Sequence, residues 1–201
     1  MDTLQEAEKF YKERILGWMI ADLEKSIVAE TNFLTALGCL IYTEIIGAFL
    51  PSLSDKKETG SMKEKRFYRC LFRLNSNQYL KTLDRFLRKE TNGKGIYSHI
   101  RHNMSHKYYP IISKRQNNIV LFIPSVVARD GMSINKTTGI TEKSPPIFLS
   151  DKGEIVIANK NYINELKESV NKFIQYSFID KIKEYQEAAI KGIEVVLKGM
   201  E

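Results

Sequence analysis

The chain has 201 residues, of which 43% are hydrophobic and 27% are charged; this excludes a disordered or fibrous protein and is enough for one well-buried core or at most two small ones. Its formal net charge of +7 is unevenly spread, because residues 56–115 hold 16 Lys and Arg against 4 Asp and Glu, which favours an anionic partner, most simply nucleic acid. The only cysteines, Cys39 and Cys70, exclude a disulfide framework and lack metal-ligand spacing, so we expect reduced thiols in a cytoplasmic protein.

The first half of the chain has the apolar periodicity of helices. Acids and bases alternate over the first thirty residues, so a secretory signal is not expected, and residues 4–28 form the first predicted helix. The second ends at Pro51, and its apolar segment 33–50 is long enough for a membrane span. Because Glu44 interrupts that segment, a buried central helix of a bundle is the better interpretation.

The second half begins with helices and then changes pattern. Amphipathic helices are predicted at 62–74 and 78–90, and a third from about 95 to 109, before Pro110. β-Branched residues follow at 119–127 and 154–158, with turn residues just before the second run.

Together the elements predict a single mainly α domain over residues 1–201. We expect an up-and-down helical bundle with a small antiparallel β insertion over 116–158, inserted before a last long helix at 159–197.

All three histidines lie within eight residues, at His99, His102 and His106. Histidine exchanges protons near neutral pH. On an α-helix, which advances about 100° per residue, the three share one face with Asn103, and Arg101 lies at the border of the opposite face. That opposite face is apolar and holds Tyr97, Ile100, Met104 and Tyr108. We therefore expect the apolar face to be buried and the histidines to point outward, where a ligand, a metal or a second subunit can reach them.

The run from Arg101 to His106, with the polar His102 directly after the arginine, resembles the Arg-x4-His signature of the HEPN superfamily. Many members of that superfamily are metal-independent ribonucleases. The resemblance implies a helical bundle that pairs as a homodimer, with two motif helices facing each other across a composite site. It also implies RNA as a partner, an antitoxin or nucleotidyltransferase as a protein partner, and a role as a toxin or phage-defence effector.

Cleavage of RNA without a metal needs a base for the ribose 2′-hydroxyl, donors for the charge on the phosphate oxygens, and an acid for the leaving 5′-oxygen. We expect His106 to transfer protons, with His102 in the same catalytic set. Arg101 suits the phosphate because its planar guanidinium donates two hydrogen bonds and stays charged. Residues predicted to bind or position the RNA are Asn103, His99, Lys107 and Glu44. Neither a cofactor nor a metal is expected.

Glu44 is an acid within an apolar helix. A buried carboxylate needs a partner, so pairing with Arg101 or with a histidine is favoured over a position at the rim of the core.

Two other interpretations of the histidine cluster remain open. His99 with His102, and His102 with His106, have helical spacings at which two imidazoles can share a metal, although no acid follows in a His-Glu-x-x-His arrangement. The second alternative is a non-catalytic module that binds nucleic acid or nucleotide, in which the histidines are merely polar. The basic stretch itself is equally consistent with a solvated face that has no partner.

Overall fold

The computed structural model describes residues 3–29, 31–53, 60–90, 93–102, 121–125, 144–149 and 154–198. These residues form a mainly helical protein with a small sheet. The α-helices are α1 (Thr3–Phe10), α2 (Ala21–Val28), α3 (Asn32–Gly47), α4 (Met62–Leu71), α5 (Asn77–Glu90), α6 (Asn159–Ile174) and α7 (Lys183–Lys198). Three segments are π-helical: Tyr11–Ile20, Tyr97–His102 and Gln175–Ile179. We name the segment Tyr97–His102 the motif helix.

The first predicted helix is confirmed as one continuous stretch, in which α1 passes through the π-helical segment Tyr11–Ile20 into α2. The predicted central helix is confirmed as α3, whose core-facing residues Ala36, Cys39, Leu40, Thr43 and Ile46 are all buried. No described helix is both long and apolar enough to cross a membrane.

Helix α3 packs closely along α4. At the point of closest approach, a Cβ atom on Gly47 would lie 1.7 Å from the main-chain oxygen of Arg66, so only glycine fits there. Both cysteines are buried free thiols on these two helices, and burial raises the pKa of Cys70 to about 12. This agrees with the expectation of reduced cysteines.

An aromatic cluster packs the first helical stretch against α6 and against the residues that follow α3. The ring of Tyr11 lies 5.4 Å from that of Phe49 and 4.7 Å from that of Phe173, measured between centroids. Elsewhere in the core, Tyr162 of α6 donates a hydrogen bond of 2.9 Å to Thr43 of α3, whose own hydroxyl proton goes to the main-chain oxygen of Cys39.

The sheet has three strands, β1 (Leu121–Ser125), β2 (Ile147–Leu149) and β3 (Glu154–Ala158), in the order β1-β3-β2. The prediction of an antiparallel insertion is confirmed for β2 and β3 but is wrong for β1, which pairs parallel to β3. The 28 residues between β1 and β3 are long enough for the crossover that parallel strands require. Helix α5 reaches the sheet through Tyr79, whose hydroxyl accepts the main-chain N–H of Leu149 at 3.1 Å.

The last long helix predicted at 159–197 is in fact two helices. The break lies between Gln175–Ile179 and α7, where Lys181 has a left-handed backbone with φ of 53°. The main-chain N–H groups of Asp180 and Ile182 donate back to Gln175 and Tyr176, both at 2.8 Å, and so satisfy carbonyls at the helix end. Such ends usually carry glycine at the left-handed position, and the lysine found here gives no signal of the break.

We expect the substitution Tyr11→Phe to leave the free energy of unfolding unchanged or to raise it by about 1 kcal/mol, because no described residue hydrogen-bonds the buried Tyr11 hydroxyl. The matched substitution Tyr162→Phe removes the bond to Thr43 and should lower that free energy by about 1 kcal/mol. Urea denaturation of both variants measures the difference, and equal losses would contradict this account of Tyr11.

Candidate functional site

The beginning of the motif helix is capped by side chains from α4 and α5. Asp84 of α5 accepts the main-chain N–H of Ile96 through Oδ1 at 2.8 Å. The hydroxyl of Tyr68, on α4, accepts the N–H of Tyr97 at 3.2 Å and donates to the same Asp84 oxygen at 2.6 Å. The first main-chain N–H groups of a helix have no acceptor within it. Asp84 and Tyr68 supply these acceptors at the beginning of the motif helix.

Arg88, one turn after Asp84 on α5, donates hydrogen bonds to the same group of side chains. Its guanidinium donates to Asp84 Oδ2 at 2.7 Å, to Glu64 Oε1 at 3.2 Å and to the main-chain oxygen of Gly93 at 3.2 Å. It also donates to the Tyr68 hydroxyl at 3.1 Å. Burial, with Asp84 alongside, raises the pKa of Tyr68, so the hydroxyl keeps the proton that it donates. We name Glu64, Tyr68, Asp84 and Arg88 the capping network.

Gly95 lies directly against the capping network. A Cβ atom at this position would be 2.2 Å from Asp84 Oδ1 and 2.5 Å from the Tyr68 hydroxyl. Both atoms are fixed by their hydrogen bonds to each other and to the motif helix, so neither can move away without losing them. The absence of a side chain at residue 95 is therefore a condition for the capping of the motif helix.

Arg101, on the motif helix, forms an ion pair with Glu44 of α3. Its Nη2 atom lies 2.6 Å from Glu44 Oε2, and each of the two side chains is only 12% exposed. The guanidinium also lies over the ring of Tyr97, 5.7 Å from the centroid. The predicted pairing of Glu44 with Arg101 is confirmed.

The same environment affects Tyr97. Burial raises the pKa of its hydroxyl, and the nearby Glu44 carboxylate raises it further. Tyr97 is therefore a neutral aromatic platform for the arginine at neutral pH.

The buried face of the motif helix agrees with the sequence, whereas its helical type does not. Tyr97 and Ile100 are 7% and 1% exposed, as the apolar face requires. The segment is π-helical, with hydrogen bonds from residue i to i+5, so each residue advances by less than the 100° of an α-helix. Single π-helical turns are frequent at functional sites.

The histidine predictions are tested only in part. The structure describes the backbone of His99 and His102 within the motif helix but not their side chains. Asn103, His106 and Lys107 lie outside the described residues. The outward orientation of the imidazoles thus stays a prediction. Among the described side chains, no three His, Cys, Asp or Glu are grouped as a metal site would need.

Sequence reasoning missed the capping network. One signal was available: Asp84 follows Leu83 on the core side of an amphipathic helix, and a buried carboxylate needs a charged or hydrogen-bonding partner. Arg88, four residues later, lies on the same face of α5. The role of Gly95 gave no such signal, because its close contacts come from two other helices.

No protein-family model, no curated protein and no solved structure matches the chain. The likeness to the HEPN superfamily therefore rests on the residues of the motif.

Glu44→Gln and Arg101→Gln are each expected to lower the free energy of unfolding by about 2–4 kcal/mol, since each leaves the other charge buried without its partner. The double variant should lose clearly less free energy of unfolding than the two single variants lose together, because the second substitution removes the charge that the first left without its counter-ion. Urea denaturation of the four proteins gives this coupling energy. The control cycle uses Glu8 and Lys12, an exposed pair whose coupling should stay below about 0.5 kcal/mol. Equal coupling in both cycles would contradict the importance of the pair.

We expect Gly95→Ala to destabilise the protein by about 1–3 kcal/mol, because the added methyl group displaces Asp84 or Tyr68. Gly17→Ala is the control: at this exposed helical glycine the nearest atom to an added Cβ would be 3.2 Å away, so its change should stay within about 1 kcal/mol. Thermal denaturation compares the two, and similar values would argue against a tight contact at Gly95.

Proposed function

We propose that the protein is a metal-independent endoribonuclease of the HEPN type that acts as a homodimer. The observation that carries the proposal is the buried ion pair between Glu44 and Arg101 on the motif helix. An arginine held in this way is oriented before any ligand arrives, which is what stabilisation of a transition state requires. The helical architecture, with the motif helix among long helices, is compatible with a HEPN-like bundle.

Arg101 is assigned to the phosphate. A guanidinium has five N–H donors in a rigid plane, and Glu44 engages it at Nη2. Glu44 is therefore a positioning residue, since it fixes the plane of the guanidinium that meets the phosphate oxygens. The stacked Tyr97 ring restrains the same plane from one side.

His106 is assigned to proton transfer, with His102 in support. A base must take the proton of the 2′-hydroxyl so that its oxygen attacks phosphorus, and an acid must give a proton to the departing 5′-oxygen. This breaks the P–O5′ bond and leaves a cyclic phosphate and a free 5′-hydroxyl, without water or metal. Asn103, His99 and Lys107 complete the set as groups that position the RNA.

Two copies of the motif supply the acid and the base most simply, which favours a homodimer with a composite site. The resemblance of the Arg-x4-His motif to the HEPN superfamily favours a cytoplasmic toxin or phage-defence effector with an antitoxin or nucleotidyltransferase partner. The second candidate function is a non-catalytic RNA-binding module, favoured by the net positive charge of residues 56–115.

Purified protein should cleave single-stranded RNA in the presence of EDTA, and His106→Ala and Arg101→Ala should each slow cleavage by about 10²–10⁴-fold. Gel analysis of labelled RNA measures the rates, and products with cyclic phosphate ends are expected. Lys12→Ala, at an exposed position of the π-helical segment Tyr11–Ile20 and far in sequence from the motif, is the control for non-specific loss.

Loss of cleavage on adding EDTA would favour the metal alternative. A wild-type protein that binds RNA but never cuts it, with binding unchanged in both variants, would contradict the nuclease and leave the binding module.

A further inference from the structure

Helix α5, and helix α4 with the turn that follows it, carry two rows of cations at intervals of four residues. The first row is Lys65 and Arg69 of α4 with Arg73 of the turn, and the second row is Lys81, Arg85 and Lys89 of α5. The guanidinium of Arg73 also donates to the main-chain oxygens of Arg69 and Ser52. Residues four apart lie on one side of a helix and are separated by about 6 Å along its axis. The row on α5 therefore presents a line of positive charge with a regular spacing, and Lys65 and Arg69 on α4 have the same spacing.

Contacts between α4 and α5 place the two rows side by side. Arg88 meets Glu64 at one end, Tyr68 meets Asp84 in the middle, and the Lys81 ammonium lies 5.9 Å from the centroid of the Phe72 ring at the other end. This order of contacts makes the two helices antiparallel. The core-facing residues Phe67, Leu71, Leu80, Leu83 and Leu87 are buried on the other side. The six cations thus form one surface, the two-row basic surface.

The second row has no acidic counterpart in the described part of the chain. Lys81, Arg85 and Lys89 are exposed, and none of them pairs with a described carboxylate. The two acids between the rows, Glu64 and Asp84, are both engaged by Arg88.

Several lysines on other helices are paired with carboxylates instead. Lys25, Lys167 and Lys183 pair with Asp22, Glu24 and Glu187. Like charges four residues apart destabilise a helix by a few tenths of a kcal/mol per pair. A row of unpaired cations is therefore a cost to folding that binding of a regularly charged anion would offset.

One end of the two-row basic surface adjoins the motif helix. Asp84 and Tyr68 cap Ile96 and Tyr97, and Arg88 contacts Gly93, so Lys65 and Lys89 mark the near end. Lys81 marks the far end, about 12 Å away along α5.

We propose that the two-row basic surface binds the phosphodiester backbone of the RNA strand whose cleavage is assigned to the motif helix. The inference rests on the proposed function for the identity of the strand. Regular spacing of like charges matches a polymer with a phosphate on every residue. Contacts of this kind are independent of base sequence and sensitive to salt.

The test uses the full-length triple variant Lys81→Gln/Arg85→Gln/Lys89→Gln and fluorescence anisotropy with a labelled single-stranded RNA of about 20 nucleotides, titrated at several salt concentrations. Each lost phosphate contact reduces the slope of log K against log salt by about 0.7 for a single strand, so the slope should fall by about 2. The triple control Lys25→Gln/Lys167→Gln/Lys183→Gln removes the same charge from paired lysines and should leave the slope unchanged. The melting temperature of the first variant should be equal to or above that of the wild type.

Single variants test whether the bound RNA extends from the motif helix along the basic surface, from Lys89 towards Lys81. Lys89→Gln should weaken binding of both a dinucleotide, which has a single phosphodiester, and the longer RNA, whereas Lys81→Gln should weaken binding of the longer RNA alone, because one phosphodiester at the near end does not also reach Lys81 at the far end. Equal slopes in the two triple variants, or equal effects of both single variants on the dinucleotide, would overturn the proposal. Wild-type protein that binds through these cations without cutting would overturn the nuclease and support the surface.

Discussion

The arrangement around the candidate site depends on the carboxylate of Asp84. This group is 7% exposed, and a charge so far removed from water persists only where partners compensate it. Its two oxygens accept hydrogen bonds from Tyr68 of α4, from Arg88 of its own helix, and from the main chain at Ile96. One side chain therefore connects α4, α5 and the motif helix, and the loss of any partner affects the other two connections.

The motif helix is held at two points along its length. The capping network fixes its beginning through α4 and α5, while Glu44 fixes Arg101 from α3. Since α3 itself packs along α4 through the contact at Gly47, the two points of attachment share one rigid frame. A guanidinium held within such a frame would lose little conformational entropy on binding an anion, as the proposed role of Arg101 requires.

Much of the helical framework could be predicted from the sequence, because apolar residues such as Leu80, Leu83 and Leu87 recur with the helical period and are buried accordingly. The partner of Glu44 was also predictable, by the argument that buried charge must be compensated. Three features could not be predicted from the sequence. The direction of β1 leaves no trace in its residues, because side-chain alternation is the same in parallel and antiparallel strands. The break at Lys181 lacks the usual glycine, and the π-helical turn at the motif has no residue signature.

The hydrogen bond between Tyr79 and the main chain of Leu149 has a consequence for the behaviour of the protein in a crowded solution. Among the described strands, β2 lies at one edge of the sheet, and edge strands expose amide groups that recruit strands of other molecules. By occupying one of those amides, the tyrosine of α5 acts as a blocking group against intermolecular strand addition. The helix that carries the second row of cations thus also covers one main-chain donor at this edge of the sheet.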